Sequence, residues 1–326
     1  MATTRSETRD GVELTSLDGP LFDGAVLDGP GAAGRPATKR DLVDYLDAVR
    51  HALIPALAGR ALSVVRARPG QQPFMQKNLP KYAPEWIART VVWAEASHRE
   101  VAYPLCDDRR TLLWLANQRA VEYHPALIKA GERHTTHLVL DLDPPEGDDF
   151  THVVRAAMLI RRALDDVWLA GAVKTSGSKG VHIVVPITAV PLENSAAATR
   201  AIAARAEALD PAIATTAFIK ADRGGKVFLD STRAIGATVV AAYSPRIRPG
   251  LTVSFPVAWD DLEQVTPADF TVATAPGLIG SGDPWAAALP APQELPAELV
   301  EHGHTIPVAR VAAMHEGKRR KRAARG

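Results

Sequence analysis

Residues 137–150, HLVLDLDPPEGDDF, have the pattern of an apolar β-strand that ends in two carboxylates. Side chains alternate between the two faces of a strand, so the leucines lie on one face while Asp141 and Asp143 project from the other. Like charges this close repel each other, and a bound Mg²⁺ or Mn²⁺ removes the repulsion because both ions favour oxygen ligands. A metal site is one interpretation of this pattern, but alone the pattern is weak evidence, because surface strands that end in Asp residues are common.

A glycine loop between two apolar strands is the second feature, at residues 172–187, AVKTSGSKGVHIVVPI. Its glycines permit a tight bend whose N–H groups form a nest for anionic oxygens. Ser176, Lys179 and His182 add donors and positive charge around it. The loop is not a P-loop, which needs Gly-x₄-Gly-Lys-Ser/Thr at the start of a helix. A Gly-Ser hairpin with an exposed lysine is an equally good interpretation of this stretch alone.

A third acid follows another short strand, in residues 226–250, KVFLDSTRAIGATVVAAYSPRIRPG. Asp230 would complete a two-metal cluster, and the forked donors of Arg233 and Arg246 suit a triphosphate. Taken alone, the acid caps a turn and the arginines form surface pairs. Three acids, a Gly-Ser-Lys loop and arginines at strand ends are together the components of nucleotidyl transfer.

Composition excludes several classes of protein. The single cysteine, Cys106, rules out a disulfide framework and a cysteine-built metal site. No signal-peptide layout is present, and no apolar run approaches the ~20 residues that span a bilayer, which predicts a cytoplasmic protein without a membrane partner. The net charge is only +1, but residues 317–326, GKRRKRAARG, are strongly basic. Such a run is either a solvated tail or a non-specific attraction to nucleic acid.

Strand-like and helix-like stretches alternate along the chain in the order of an α+β fold, a sheet layered by helices. Residues 1–37 are expected to form an irregular arm. Thr38 is a candidate N-cap for the amphipathic stretch after it, and a later helix is expected to begin at Asn194 or Ser195. We predict one catalytic unit over 1–290 with two lobes, followed by a Pro/Ala-rich extension and basic tail over 291–326.

These motifs carry a resemblance to a known family. The chain resembles the archaeo-eukaryotic primase superfamily, and more closely the polymerase domain of bacterial DNA ligase D and its stand-alone relatives. LVLDLDPPEGDDF, SGSKGVHIVV and FLD resemble the three family motifs, and flanking stretches such as FMQKNLPKYAPEWI match in order over about residues 10–290. There is no ligase Lys-X-Asp-Gly motif and no nuclease segment, which predicts a polymerase module standing alone.

The resemblance implies a primase-polymerase fold, with a central mixed or antiparallel sheet flanked by helices and two lobes around an active-site cleft. It also implies roles for individual residues. Two divalent ions, Mn²⁺ or Mg²⁺, would be held by the catalytic acids Asp141, Asp143 and Asp230. The incoming nucleotide would be bound by Ser176, Lys179, His182, Arg233, Arg246 and His124. DNA would be contacted by Lys39, Phe74 and Lys77.

The implied activity is addition of nucleotides, preferably ribonucleotides, to a primer 3′-hydroxyl at short DNA gaps or broken ends during repair. The implied partners are gapped or primer-template DNA, nucleoside triphosphates, and a DNA ligase or the end-binding protein Ku. The protein is expected to act as a monomer associated with the nucleoid.

This sequence departs from the family pattern at several positions. Met75 stands where a second aromatic residue is common, which reduces base stacking worth ~1–3 kcal/mol per base. Ser16 and Gly19 replace an asparagine and a lysine that help to hold a 5′-phosphate, which leaves only Lys39 of that basic pocket. The segment after the third motif is one residue shorter than usual, with Ala234 where an asparagine is common. Loss of the lysine at position 19 predicts weaker recognition of a 5′-phosphate, and the shorter segment predicts a slightly different placement of the active-site arginines.

A different class of function fits some of these observations. A catalytically silent DNA-binding accessory protein, which recruits a ligase or an end-binding partner, would explain the basic tail. The presence of all three acids favours the enzyme. A glycosyltransferase or phosphatase with an Asp-X-Asp motif is disfavoured, because DLDPP lacks the Thr or Val expected two residues after the second Asp of a phosphatase.

Overall fold

The structure is a computed structural model that describes residues 6–29, 34–94, 98–147, 149–234 and 238–308. Its strands are β1 (Glu7–Arg9), β2 (Val12–Leu14), β3 (Val26–Leu27), β4 (Arg35–Pro36), β5 (Arg60–Arg68), β6 (Gln71–Gln76), β7 (Arg89–Ala94), β8 (Arg99–Pro104), β9 (Ala120–Lys129), β10 (His134–Asp143), β11 (Ala172–Thr175), β12 (Val181–Pro191), β13 (Ala214–Thr215), β14 (Val227–Asp230) and β15 (Pro256–Val257). Its helices are α1 (Lys39–Ala48), α2 (Arg50–Leu57), α3 (Arg109–Asn117), α4 (Phe150–Asp165), α5 (Leu192–Leu209), α6 (Ala275–Ile279), α7 (Pro284–Ala288) and α8 (Ala297–Thr305).

A six-stranded sheet forms the larger lobe, with the strand order β13-β14-β10-β12-β11-β15. Its neighbours pair antiparallel except β13 and β14, which are parallel, so the sheet is mixed. Helices α4 and α5 pack on it, and Leu138, Leu140 and Leu142 of β10 are fully buried. This confirms the predicted mixed sheet flanked by helices.

A three-stranded sheet, β6-β5-β9, forms the smaller lobe, with α3 packed on β9 and α1 packed on α3. The chain after β14 crosses back to this sheet. There the Val239 N–H donates to the Pro125 carbonyl at 3.4 Å, and the Ala241 N–H donates to the Tyr123 carbonyl at 2.9 Å. The two lobes are therefore joined along β9 and leave a cleft between them, as predicted.

The first residues of two helices were predicted from their local sequences, with different outcomes. Thr38 caps α1 in a reciprocal capping box with Asp41, as expected from its position before the apolar-periodic stretch. The predicted cap of α5 at Asn194 or Ser195 is wrong, because β12 runs directly into the helix at Leu192. The Ser195 hydroxyl instead donates to the Leu192 carbonyl inside the first turn, at 3.0 Å.

The two ends of the described chain pack on the fold. The expected irregular arm contains the pairs β1-β2 and β3-β4, and its Leu14, Leu17 and Leu21 are part of the core. At the other end, Gln293 bridges to Ile187, and α8 packs on α5. The domain boundary at residue 290 stays a prediction, and the basic stretch 317–326 lies outside the described residues. Among the described helices, none has the length and apolar character needed to cross a membrane.

The contact between α8 and α5 predicts a steric effect at Gly303. A Cβ on Gly303 would lie 1.9 Å from the Ala197 carbonyl oxygen, so α8 cannot keep its place once the residue has a side chain. We expect Gly303→Ala to lower the free energy of unfolding by about 1–3 kcal/mol, measured by urea denaturation. Gly277→Ala is the matched control, because nothing lies within 4 Å of its added Cβ. Equal stability of the two variants would contradict the docking of α8.

Candidate active site

Four ionisable side chains form a row across the six-stranded sheet. Asp230 on β14 is the register partner of Asp141 on β10, Asp141 is the partner of His182 on β12, and His182 is the partner of Lys174 on β11. Register partners project from the same face of a sheet. The row therefore lies on the cleft face, opposite the leucines that pack under the helices.

Asp141 contacts two basic side chains of the cleft, His182 and Arg233. Its Oδ1 lies 3.3 Å from His182 Nε2, and its Oδ2 accepts a hydrogen bond from Arg233 Nε at 3.1 Å. Burial alone would raise the pKa of Asp141, but its interactions with His182, Arg233 and Lys174 lower it to about 2. Asp141 is therefore a carboxylate at neutral pH.

Arg233 connects the two paired acids. Its Nε also lies 3.4 Å from Asp230 Oδ2, so one guanidinium stands against both carboxylates. The other oxygen of Asp230, Oδ1, accepts from the Thr232 N–H at 2.8 Å and from the Thr232 hydroxyl at 2.6 Å. These bonds fix the Asp230 side chain with Oδ2 turned toward Asp141.

The pKa of Asp143, at the exposed end of β10, is shifted in the opposite direction to that of Asp141. Partial burial of its carboxyl, and then the negative charges of Asp141 and Asp230, raise its pKa to about 6. Because Asp141 and Asp230 repel ionised Asp143, a cation placed among the three acids would be attracted.

The three acids have the donor chemistry of a site for Mg²⁺ or Mn²⁺, which take carboxylate oxygens as ligands. Within the described ranges, no three acidic, histidine or cysteine side chains already stand in an ion-binding cluster. The guanidinium of Arg233 offers a reason, because it holds one oxygen each of Asp141 and Asp230. The residues fit a divalent ion in type and in sheet position, and a bound ion would compete with Arg233 for these oxygens.

The glycine loop closes on the opposite side of this row. The Ser176 hydroxyl accepts from the N–H groups of Ser178 and Gly180, at 3.2 and 3.1 Å, so it orders the loop from inside. Gly177 has φ +66°, and a Cβ there would lie 2.7 Å from Arg246. A Cβ on Gly180 would lie 2.1 Å from the Leu142 carbonyl oxygen. Both glycines are needed to bring the loop against β10 and Arg246.

Glu122, which sequence reasoning did not identify, holds two of the predicted nucleotide ligands. Its Oε2 lies 2.9 Å from His124 Nε2, and its Oε1 lies 3.2 Å from Arg246 Nε and accepts the Ile247 N–H at 2.9 Å. Although burial opposes ionisation, His124, Arg246 and the Ile247 N–H lower the pKa of Glu122 to about 2. The spacing of Glu122 and His124, two apart on one strand face, was the available signal.

Arg246 spans the loop and the small lobe. Its Nη1 donates to the Ser176 carbonyl, while Nε faces Glu122 without the angle of a good hydrogen bond. Arg248 Nε donates to the Ser178 hydroxyl at 3.2 Å. Lys179 has no ion-pair partner among the residues described, so its ammonium is available to an anion.

One cavity of about 250 Å³ collects most of the predicted residues. Its wall includes the acids Asp141 and Asp143, and the predicted nucleotide ligands His124, Ser176, Lys179, His182, Arg233 and Arg246. Acids line one side, while the loop and the arginines line the other. This distribution suits a ligand that carries several phosphates together with cations.

The three residues predicted to contact DNA lie outside this cavity. Phe74 and Lys77 lie on and just after the exposed strand β6, with Phe74 and Met75 both more than 40% exposed. Lys39 lies elsewhere and is 3% exposed. Its ammonium donates to the Thr15 carbonyl at 2.6 Å and to Asn117 Oδ1 at 2.5 Å, and burial lowers its pKa to about 8. In this arrangement Lys39 ties the arm to α3. The contact with DNA expected for Lys39 stays a prediction, and it would require the ammonium to leave Thr15 and Asn117.

Comparisons with known proteins agree with this geometry. The family model described as "LigD, primase-polymerase domain" matches residues 38–285. The bifunctional non-homologous end joining protein LigD of Bacillus subtilis is 33% identical over 298 residues, covering 89% of this chain and 46% of that protein. The multifunctional non-homologous end joining DNA repair protein LigD of Mycobacterium tuberculosis is 34% identical over 273 residues, covering 79% of this chain and 34% of that protein. The chain thus spans less than half the length of these relatives.

A solved structure, described as the polymerase domain from Mycobacterium tuberculosis ligase D in complex with DNA, aligns with a TM-score of 0.76. The two sequences are 30% identical, and the alignment covers 86% of this chain and 98% of that one.

The contacts of Glu122 predict a pH-dependent contribution to stability. Its pKa is lower in the folded protein than the ordinary 4.5, so its stabilising effect is present above about pH 4.5 and is lost as the pH falls toward 2. We expect Glu122→Gln to lower the free energy of unfolding at pH 7 by about 3 kcal/mol, because Arg246 and His124 lose a buried partner. The difference from wild type should shrink at pH 3.

Urea denaturation at the two pH values measures this effect. Glu132→Gln is the matched control, since Glu132 is exposed and should contribute nothing at either pH. A loss of stability that is the same at pH 7 and pH 3 would contradict the assigned charge of Glu122.

Proposed function

Because this chain belongs to the LigD primase-polymerase domain family, we propose that it is a metal-dependent nucleotidyltransferase. It adds nucleotides to the 3′-hydroxyl of a DNA primer at short gaps or broken ends. The observation that carries this proposal is the cavity that joins the carboxylates of Asp141 and Asp143 to a basic glycine loop. A polymerase role in end repair also agrees with the relatives, whose names describe non-homologous end joining.

The nucleotide would bind with its triphosphate against the glycine loop. Lys179 has no ion-pair partner within the described part of the chain, and Arg246 offers the part of its guanidinium that Ser176 and Glu122 leave free. His182 faces the same space. His124 is held at the opposite wall by Glu122, where it can meet the sugar or base. Positioning and charge neutralisation account for most of the catalysis of phosphoryl transfer.

Asp141, Asp143 and Asp230 would hold two divalent ions, Mg²⁺ or Mn²⁺. When bound, such ions lower the pKa of an attacking hydroxyl and stabilise the charge on the leaving pyrophosphate. The fold of the protein positions the carboxylates. Register pairing fixes Asp141 beside Asp230, and Thr232 orients the latter.

DNA would approach along the exposed strand β6. Phe74 provides an aromatic face for base stacking, with Arg66 5.7 Å from the centre of its ring, and the exposed Lys77 can pair with a phosphate. Met75 offers apolar contact but no aromatic face. The extended primer then needs a ligase to seal it, and an end-binding protein such as Ku is a candidate partner at broken ends.

Ribonucleotide preference is part of the proposal and has a direct measurement. Incorporation of ribo- and deoxyribonucleotides on one gapped substrate would be compared in the presence of Mn²⁺. A ratio that favours deoxyribonucleotides would contradict the ribonucleotide preference but not the polymerase activity.

The first functional prediction concerns the paired acids. We expect Asp141→Asn and Asp230→Asn each to lower primer extension by about three orders of magnitude, since metal ligation is worth several kcal/mol and each 1.4 kcal/mol is tenfold in rate. DNA affinity should remain within a few fold of wild type. Asp166→Asn is the matched control, because Asp166 forms only a surface pair with Arg162 at the end of α4. Full activity of the acid variants would contradict the role assigned to these acids, whereas no extension by the wild-type protein would favour the silent DNA-binding accessory.

The second functional prediction concerns the downstream strand. Since Lys39 is enclosed and Gly19 carries no side chain, extension across a short gap should change by less than about threefold when the downstream 5′-phosphate is replaced by a hydroxyl. A charge-assisted phosphate contact is worth about 1.5–3 kcal/mol, which would appear as a tenfold or larger difference. Such a difference would mean that Lys39 leaves Thr15 and Asn117 when DNA binds.

A further inference from the structure

Lys174 is a buried lysine to which the proposed reaction gives no role. It lies on β11 at the end of the row, and it is 3% exposed. Its Nζ lies 2.7 Å from His182 Nδ1, 2.7 Å from the Ser254 hydroxyl oxygen and 3.0 Å from the Val240 carbonyl oxygen. The Ser254 hydroxyl donates its own hydrogen to the Thr175 carbonyl at 2.8 Å, so it offers Lys174 a lone pair.

The hydrogen bonds around Lys174 can be counted. An ammonium has three hydrogens and no lone pair, so it needs three acceptors. The Val240 carbonyl and the Ser254 hydroxyl supply two, and His182 Nδ1 supplies the third. The single hydrogen of a neutral imidazole must then lie on Nε2, which points to Asp141 Oδ1 at 3.3 Å.

The reverse arrangement is unfavourable on both sides of the ring. A hydrogen on Nδ1 would face the hydrogens of the ammonium, and a bare Nε2 would turn its lone pair toward the oxygen of a carboxylate. If the proton between Nζ and Nδ1 moves onto the ring, Nε2 still keeps its hydrogen. Burial lowers the pKa of Lys174 well below its usual range, and a neutral amine would accept a hydrogen from Nδ1 but leave a bare Nε2 lone pair against the Asp141 carboxylate. The arrangements that keep a hydrogen between the ring and Asp141 therefore all have Nε2–H directed toward Asp141.

We propose that Lys174 is a positioning residue that holds His182 as an Nε2–H donor toward Asp141 and the nucleotide cavity. This inference rests on the proposed function, because it assigns the donor to the site where the triphosphate would bind. Lys174 does not line that cavity, whereas His182 does, so Lys174 acts through the imidazole. His182 then has one fixed donor for a phosphate oxygen or for Asp141, and it cannot turn over to present Nδ1.

A purely structural role is the alternative to be separated. In that case, Lys174 ties β11 to the segments of Val240 and Ser254, and the state of the His182 ring is incidental. Loss of stability in a variant would be the same in both cases. The two roles differ in the tautomer of His182 that they predict and in whether that tautomer affects activity.

The first test needs no variant at Lys174. Nitrogen-15 NMR of the histidine rings in the nucleotide-free protein, with His182 assigned by comparison with His182→Asn, reports which nitrogen carries the hydrogen. We expect Nε2 protonated and Nδ1 hydrogen-bonded as an acceptor. A spectrum with neutral His182 protonated on Nδ1 would overturn the proposal. It would do so whether or not the protein extends primers.

The second test uses Lys174→Met, which keeps the length of the side chain and removes its donors. We expect His182 to lose its single Nε2–H tautomer. We also expect kcat/KM for primer extension with GTP and Mn²⁺ to fall about 10- to 100-fold, as for other residues that orient a functional histidine. In a His182→Asn background, the same change should cost no further activity. An equal loss in both backgrounds would show that Lys174 acts independently of His182 and would contradict the proposal.

Ser254→Ala is the matched control for packing around Lys174. It removes one acceptor of the ammonium and leaves the contact with His182 Nδ1 in place. We expect a lower melting temperature with the Nε2–H form unchanged. If Lys174→Met does not fold, the wild-type and Ser254→Ala spectra still decide the proposal, because a change of ring form in Ser254→Ala would contradict it.

Discussion

Strand register is the constraint on which the candidate site depends. Asp230, Asp141, His182 and Lys174 come from four strands, and they meet only because their residues are paired across the sheet. A slip of one residue in any of these strands would turn its polar member toward the helices. The leucines of β10 prevent that slip, since they are buried under α4 and α5 only in the observed register. Packing of the apolar face therefore places the reactive groups of the other face.

The same interactions make the charges of the cleft interdependent. Carboxylates and cationic groups face each other in the low dielectric of a buried site, where their attraction is stronger than in water. Asp141 is held by His182 and Arg233, while Glu122 holds Arg246 and His124 from the other lobe. Arg246 then reaches the glycine loop through the Ser176 carbonyl. The loop, the acids and the small lobe are thus connected through side chains that also belong to the predicted nucleotide site.

Features that depend on neighbouring residues could be predicted from the sequence, whereas contacts between elements distant in the chain could not. Alternation on β10 correctly placed Asp141 opposite the leucines, and the capping position of Thr38 was evident from its neighbours. The contact of Lys174 with His182 depends on the pairing of β11 with β12, which no single stretch encodes. Lys39 illustrates the same limit. Its enclosure by Asn117 and the arm is a tertiary contact, and motif similarity alone suggested a surface charge.

The burial of these charged side chains favours an enzyme over a catalytically silent DNA-binding protein. Taking an ionised side chain out of water costs several kcal/mol, and apolar residues of similar volume often stabilise a fold better than a buried ion pair. A protein that only bound DNA would need surface cations for phosphates, not carboxylates and a lysine beneath a cleft. Glu122, Asp141, Lys174 and Asp230 are all buried. These charges surround the candidate site, and catalytic sites are where proteins accept such a cost in exchange for fixed geometry.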